Sequence, residues 1–241
     1  MTSTGEYLPA SVMTIFAHPD DQEFTIAGTL AKWAKAGVPI TNVLLTSGDA
    51  GSNDPRCSTG CKDDLAKQRE AEQLAANAVL GVRETVFLRF PDGELQHTLE
   101  LRKAVTREIR RFKPEVVVCG DPTVRFFGNG YMNHPDHRVA ADVACDAVFP
   151  SAGTRLIFTD LLEAGFEPHN IKRVYLSSPQ QPDTWVNIGD TIDVKIEALR
   201  QHKSQLGDWD PAEEMRKWAE DTGKEKGLLY AESYRVMVLS E

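Results

Sequence analysis

The stretch "TIFAHPDDQEFTIAG", Thr14 to Gly28, decides how the rest of the chain is read. Its first residues are apolar and β-prone, as in a buried strand. They stop at a histidine, a proline and two adjacent aspartates, after which a helix-like pattern sets in. Three ionisable groups, His18, Asp20 and Asp21, thus stand at the mouth of a core, two of them mutually repelling. Taken alone, an Asp pair before a helix is an ordinary cap and dipole partner. The other reading is that something positively charged sits there.

The same alternation continues outward. VMTIF (12–16) reads as a strand and Gln22 to Ala36 as one helix, stopped by Gly37 and Pro39. ITNVLLT (40–46) is a second strand, followed by a polar loop and a helix from Asp63 to Leu80, with Gly81 as its stop. TVFLRF (85–90), a helix from Leu99 to Phe112 and EVVVCG (115–120) repeat the unit. Strands apolar on consecutive positions are covered on both faces, as in a parallel sheet. Successive right-handed βα units predict an α/β fold: a Rossmann-like, doubly wound, mostly parallel sheet with helices on both faces.

The second half is less regular. It offers a helix over Val139–Phe149, a strand at RVYLSS (173–178) and a helix over Thr191–Leu206. The polar segment Asp208–Gly227, with Trp209 and Trp218, reads as a lid or an edge helix, and YRVMVLS (234–240) as a strand closing the sheet. We expect one domain over 1–241, its βα core in 1–150 and the less regular part, a possible lid, in 151–241.

Composition narrows the function. The 241 residues are 41% hydrophobic, enough for one core, and carry a net charge of −9 without a basic run, which argues against nucleic-acid binding. No apolar run is long enough to span a membrane, and MTSTGEYLPASV lacks a basic and then apolar leader, so a cytoplasmic protein is expected. Cys119 and Cys145 lie in apolar runs and read as inert core thiols. Cys57 and Cys61 form a lone C-x3-C in a polar loop, a weak zinc signal; free thiols are the expectation, a loop disulfide the alternative.

In an open α/β sheet the carboxyl ends of the strands form the binding crevice. His18, Asp20 and Asp21 follow the first strand, Gly48, Asp49 and Gly51 the second, Asp92 and Gly93 the third, and Asp121 the fourth. A second cluster, "NHPDHR" (133–138), repeats the grammar of the first. Caps need no histidine, and here two His-Pro-Asp triplets and the His137 that follows the second bring three. Catalytic zinc takes three protein ligands from His and Asp/Glu and leaves a position for water. His18 and Asp21 can come from one turn, with His137 arriving from the next segment, so one Zn2+ per chain is expected, other divalent metals being admitted by the same donors. Asp20, beside a ligand but not one itself, is left to act on the water.

These residues resemble the PIG-L/LmbE-like family of zinc-dependent sugar N-deacetylases. HPDD at 18–21 and HPDH at 134–137 carry the resemblance, with T-x-G-D-x-G at 46–51, Arg69, Glu72 and LGV at 80–82, FPDG at 90–93, KPEVVVCGDP before the second signature, and HKSQ at 202–205. It implies hydrolysis of the acyl amide of a small N-acylated amino sugar or conjugate. It also implies His18, Asp21 and His137 as zinc ligands, Asp20 as general base, His134 as a cationic partner of the developing oxyanion, and Asp136 as orienter of a histidine. Asp49, Arg69 and Asp92 match positions that hold sugar hydroxyls or neighbouring loops; for Arg69, a plain helix pair with Glu72 is the alternative. Family members often form homo-oligomers.

Two departures stand out. Gln22 occupies the place of the family's Glu after the two aspartates, with Glu23 one place late. Met132 replaces a tyrosine proposed as general acid in some members, Tyr131 being one further back. The loop from Asp121 to Asn133, with Phe126 and Phe127, reads equally as substrate wall or as packing. Two rival functions remain at this level: a metallophosphoesterase, which needs more bridging ligands than are visible, and a non-catalytic sugar or nucleotide module, for which no G-x-G-x-x-G follows the first strand.

Overall fold

The computed structural model describes residues 7–240. In chain order the elements are β1 (Val12–Phe16), α1 (Asp21–Thr25), α2 (Ala27–Lys35), β2 (Ile40–Thr46), α3 (Lys62–Leu80), β3 (Glu84–Phe90), α4 (Leu99–Phe112), β4 (Val116–Gly120), β5 (Phe126–Phe127), β6 (Tyr131–Met132) and α5 (Pro135–Asp146). Then come α6 (Thr159–Glu163), β7 (Arg173–Ser177), β8 (Thr184–Asn187), α7 (Ile192–Leu199), α8 (Lys203–Leu206), α9 (Ala212–Gly223) and β9 (Ala231–Val238).

Seven strands form one sheet in the order β3-β2-β1-β4-β7-β9-β8. The first five are mutually parallel, and β9 runs antiparallel to both β7 and β8. Strand order reverses between β1 and β4, the switch point at which such sheets bind ligands. Alternation along the strands builds two cores. Val12, Phe16, Ile40 and Val116 pack with α2, α7 and α9 on one face; Met13, Ile15, Val43 and Val117 pack with α4 and α5 on the other. Helices therefore cover both faces, as the consecutive apolar strands predict.

Several boundaries differ from the sequence expectation. The single helix over Gln22–Ala36 is two, broken at Ile26 (φ −129°, ψ 3°), where the Thr25 hydroxyl donates to the Asp21 carbonyl at 2.7 Å. The helix expected to Phe149 ends at Asp146, because Pro150 holds Phe149 extended (φ −140°, ψ 124°). The helix over Thr191–Leu206 is likewise two, α7 and α8. The last strand starts earlier and lies inside the sheet, while β8, four residues flanked by turns, forms the edge. Asp208–Gly227 contains α9, which packs on β9 and α7.

Candidate active site

The site grows from the end of β1. The Thr46 backbone and hydroxyl both donate to the Ala17 carbonyl, at 2.9 and 3.0 Å, pinning β1 to β2 just before His18. The chain then turns sharply. Asp20 adopts a left-handed conformation (φ 93°), and the Asp21 carboxylate accepts from the His18 N–H at 2.9 Å. On the far side of the switch point, His134 caps α5 and delivers His137 one turn later.

The two signatures meet. His137 Nε2 lies 3.2 Å from His18 Nδ1 and 3.0 Å from Asp21 Oδ1, and His18 Nδ1 lies 3.6 Å from Asp21 Oδ2. Tetrahedral ligands bound at about 2.0–2.1 Å stand about 3.3 Å apart, so these separations bracket what a divalent cation requires. The outer nitrogens are held as well. His18 Nε2 stands 2.9 Å from Asp92 Oδ1 and 3.4 Å from Asp136 Oδ2, neither aligned as a hydrogen bond, and His137 Nδ1 is 3.2 Å from Asn133 Oδ1. Carboxylates and amides behind the outer nitrogens are what leave the inner nitrogens free for a metal. The chemistry of the donor set therefore fits a bound cation. His134 also brings a ring nitrogen within 4.8 Å of the other two histidines, and His18, Asp92 and Asp136 make another such trio.

Electrostatics point the same way. Burial by itself would lower His18, yet contacts with Asp136, Asp21 and Asp92 hold it up at about 12. Against its own burial, Asp21 is kept well below the usual carboxylate range by His137 and His18. Four aspartates crowd three imidazoles, and the cluster draws positive charge. Burial raises Asp20 to about 6, with Asp21 adding to the rise and Arg69 opposing it.

Asp136 accepts from the backbone N–H of Gly93 at 2.7 Å and of Leu95 at 3.3 Å, tying the β3–α4 loop to the α5 start. His134 sits at the start of α5 beside this cluster. Burial, then the charges of His18 and His137, push its pKa down, and its Nδ1 accepts from the Asp136 N–H at 3.2 Å. With Nδ1 accepting, Nε2 is the ring nitrogen left to donate.

Arg69 and Asp92, expected near sugar hydroxyls, are both buried and already engaged. The Arg69 guanidinium donates to the Gly48 carbonyl (3.1 Å), the Pro19 carbonyl (2.7 Å) and Asp20 Oδ2 (3.0 Å), rather than to Glu72. Glu72 instead accepts from the backbone and hydroxyl of Ser204, which explains the HKSQ motif as a tie between α3 and α8. Asp92 accepts from Ala50 N–H at 2.8 Å besides facing His18. Asp49 is partly exposed, 3.5 Å from Lys62 Nζ. Met132 and Tyr131 lie on the exposed β5–β6 hairpin, with Tyr131 on a pocket wall. All four cysteines are free.

Sequence reasoning missed Gln73, whose Oε1 accepts from the Asp20 N–H at 3.0 Å. It also missed Asn133 behind His137, for which the i, i+4 spacing at a helix start was the available signal.

Fold and site together define a doubly wound α/β protein whose switch point carries a His/Asp cluster able to hold a metal ion. Comparison with known proteins agrees. The family described as "PIG-L: GlcNAc-PI de-N-acetylase" matches residues 13–148. The chain is 34% identical to the diacetylchitobiose deacetylase of Thermococcus kodakarensis, over 93% of this chain and 82% of that one. It is 29% identical to a 1D-myo-inositol 2-acetamido-2-deoxy-alpha-D-glucopyranoside deacetylase of Saccharomonospora viridis, over 81% of this chain and 85% of that one. The structure of N,N'-diacetylchitobiose deacetylase from Pyrococcus horikoshii matches it with a TM-score of 0.87 at 30% identity, covering 95% of this chain and 84% of that one. The chain belongs to the PIG-L family of sugar N-deacetylases. Neither the phosphoesterase nor the non-catalytic reading is favoured. Among the described residues no helix is long and apolar enough to cross a membrane.

Proposed function

We propose that this protein is a zinc-dependent hydrolase that removes the acetyl group from a small N-acetylated amino sugar or sugar conjugate. The observation that carries the reading is the convergence of His18 Nδ1, the Asp21 carboxylate and His137 Nε2 beside Asp20. His18, Asp21 and His137 would hold the metal. A divalent cation bound there supplies Lewis acidity, polarising a carbonyl and lowering the pKa of water from 15.7 to about 7.

The chain's own groups do the rest. Asp20, fixed by Arg69, takes a proton from the attacking water. His134 donates its Nε2 proton in a hydrogen bond to the amide oxygen as negative charge develops there, a task a neutral imidazole performs. Asp20 then returns its proton to the leaving nitrogen. Acetate and a free amine result. Asp136 and Asp92 orient His18, Arg69 positions Asp20, and Asp49, the exposed member of the three expected sugar contacts, is left to meet a hydroxyl. Free thiols throughout suit a reducing compartment, the cytoplasm.

The test is acetate release from N-acetylglucosamine and its β-linked disaccharide by zinc-loaded protein. Turnover that falls about 10²–10⁴-fold in Asp20→Asn, at unchanged metal content, is expected. Wild-type turnover in that variant contradicts the assignment of the base.

A further inference from the structure

A pocket of about 690 Å3 opens at the switch point and shares Asp21 and His137 with the ligand cluster. Whole small-molecule ligands occupy pockets of about 300–1,000 Å3, so the methyl of an acetyl group would fill only a corner of it. Its walls are apolar: Ile15 at the end of β1, Phe24 on α1, Val124 and Phe127 from the β4–α5 connection, and Trp218 on α9.

Three of the polar side chains along the same walls are turned to partners of their own. The Thr25 hydroxyl donates to the Asp21 carbonyl at 2.7 Å. Asp121 Oδ1 accepts from the backbone and hydroxyl of Thr123 at 2.8 and 2.6 Å. Asn133 donates to the Val124 carbonyl at 2.8 Å and faces His137 with its oxygen. A sugar ring needs convergent donors and acceptors; besides these three, Ser177, Ser178 and Tyr131 supply the remaining hydroxyls of a wall that is otherwise mostly apolar. Meanwhile Phe127 and Trp218 stand 38% and 49% exposed at the rim, an apolar surface that gains by being covered. Beyond Phe24 and Trp218 the groove continues into a second space of about 200 Å3, which Lys195 and Glu232, paired at 2.7 Å, also line.

Resting on the deacylase reading above, we propose that this pocket is a subsite for an apolar alkyl or aryl group carried by the substrate, entering beside Asp21 and His137. Two positions on an amino sugar can carry that chemistry: the N-acyl chain, if longer than acetyl, and the aglycone.

Two substrate series separate them, with free amine as the readout. One is glucosamine bearing N-acetyl, N-butanoyl and N-octanoyl groups; the other is the methyl, phenyl and octyl β-glycosides of N-acetylglucosamine. In the series whose group enters the pocket, kcat/KM should rise, by up to about fourfold per buried methylene, and Trp218→Ala should flatten that rise. Flat or falling kcat/KM in both series, with amine still released, overturns the subsite and leaves the deacetylase reading standing. If nothing is turned over, the deacetylase reading falls. Calorimetry with the octyl and methyl glycosides then decides the pocket: tighter octyl binding, weakened by Trp218→Ala, supports it, and equal binding overturns it.

Discussion

Asp20 occupies a backbone conformation that costs a non-glycine residue about 1–3 kcal/mol unless its surroundings enforce it (φ 93°). Gln73 provides that enforcement through its Oε1, and its own amide is oriented by Glu23 Oε1 at 2.9 Å. Glu23 also accepts from Gln22 at 2.8 Å and stands 3.4 Å from His202 Nε2, all in a cluster closed to solvent. The shifted Gln22-Glu23 pair, a departure from the family pattern, is thus built into the support beneath Asp20. Gln73→Glu should set a second carboxylate against Glu23 and destabilise the protein by about 3–5 kcal/mol, with kcat falling. Adding Glu23→Gln restores a donor facing an acceptor, and the double variant should recover most of both losses. Thermal unfolding and kcat on the four proteins check this; additive losses in the double variant would sink the idea. The histidines and aspartates were readable because their chemistry is rare outside metal sites. Gln73 was not, since a glutamine on a helix acquires meaning only when the fold brings Asp20 above it.

At the scale of elements, the T-x-G-D-x-G loop acquires a steric reason. A Cβ at Gly48 would lie 2.3 Å from Arg69 Nη1, and one at Gly51 2.5 Å from the same atom, while Gly48 also has φ +68°. The loop after β2 is glycine-rich so that the Arg69 guanidinium can lie against its backbone and reach Asp20. Gly48→Ala should therefore displace Arg69, lowering kcat more than KM rises and costing about 1–3 kcal/mol of stability; unchanged kcat would detach this loop from the base. On the neighbouring strand, the β2–β3 register shifts between Leu44 and Thr46, and Arg89 adopts φ 57° there. This bulge turns Arg89 to Glu70 just before the chain delivers Asp92. Strand and helix existence was legible from apolar runs and helical periodicity in the first half. The break at Ile26 was not, because every residue from Gln22 to Ala36 tolerates a helix. The edge strand β8 escaped for the opposite reason: four residues carry too short a pattern, and its pairing with β9 is decided by the sheet.

Across the whole molecule, ion pairs at the rim tie the site loops to the scaffold. Burial alone would push the Glu70 carboxyl up, but hydrogen bonds from Arg89 and Ser47 outweigh it and hold it below its usual 4.5. A carboxylate depressed in the folded state adds stability above its unfolded pKa and loses it as pH falls through the folded value. Wild type should therefore exceed Glu70→Gln in stability at pH 7, by under about 1 kcal/mol because Arg89 is largely exposed, and the gap should close in acid below 4.5. Urea unfolding at pH 7 and in acid measures it, and a gap that widens in acid would contradict the assignment. The doubly wound order and the convergence of two distant His-Pro-Asp segments were legible because parallel βα units leave few topologies. The partners of Arg69 and the apolar pocket were not, since both depend on how α3, the β5–β6 hairpin and α9 close over that rim. The most direct measurement is an anomalous-difference map at the zinc edge from crystals of the zinc-loaded protein. A single peak between His18 Nδ1, the Asp21 carboxylate and His137 Nε2 is the predicted result. A fully loaded protein with no density there, or with its zinc bound elsewhere, would contradict the account.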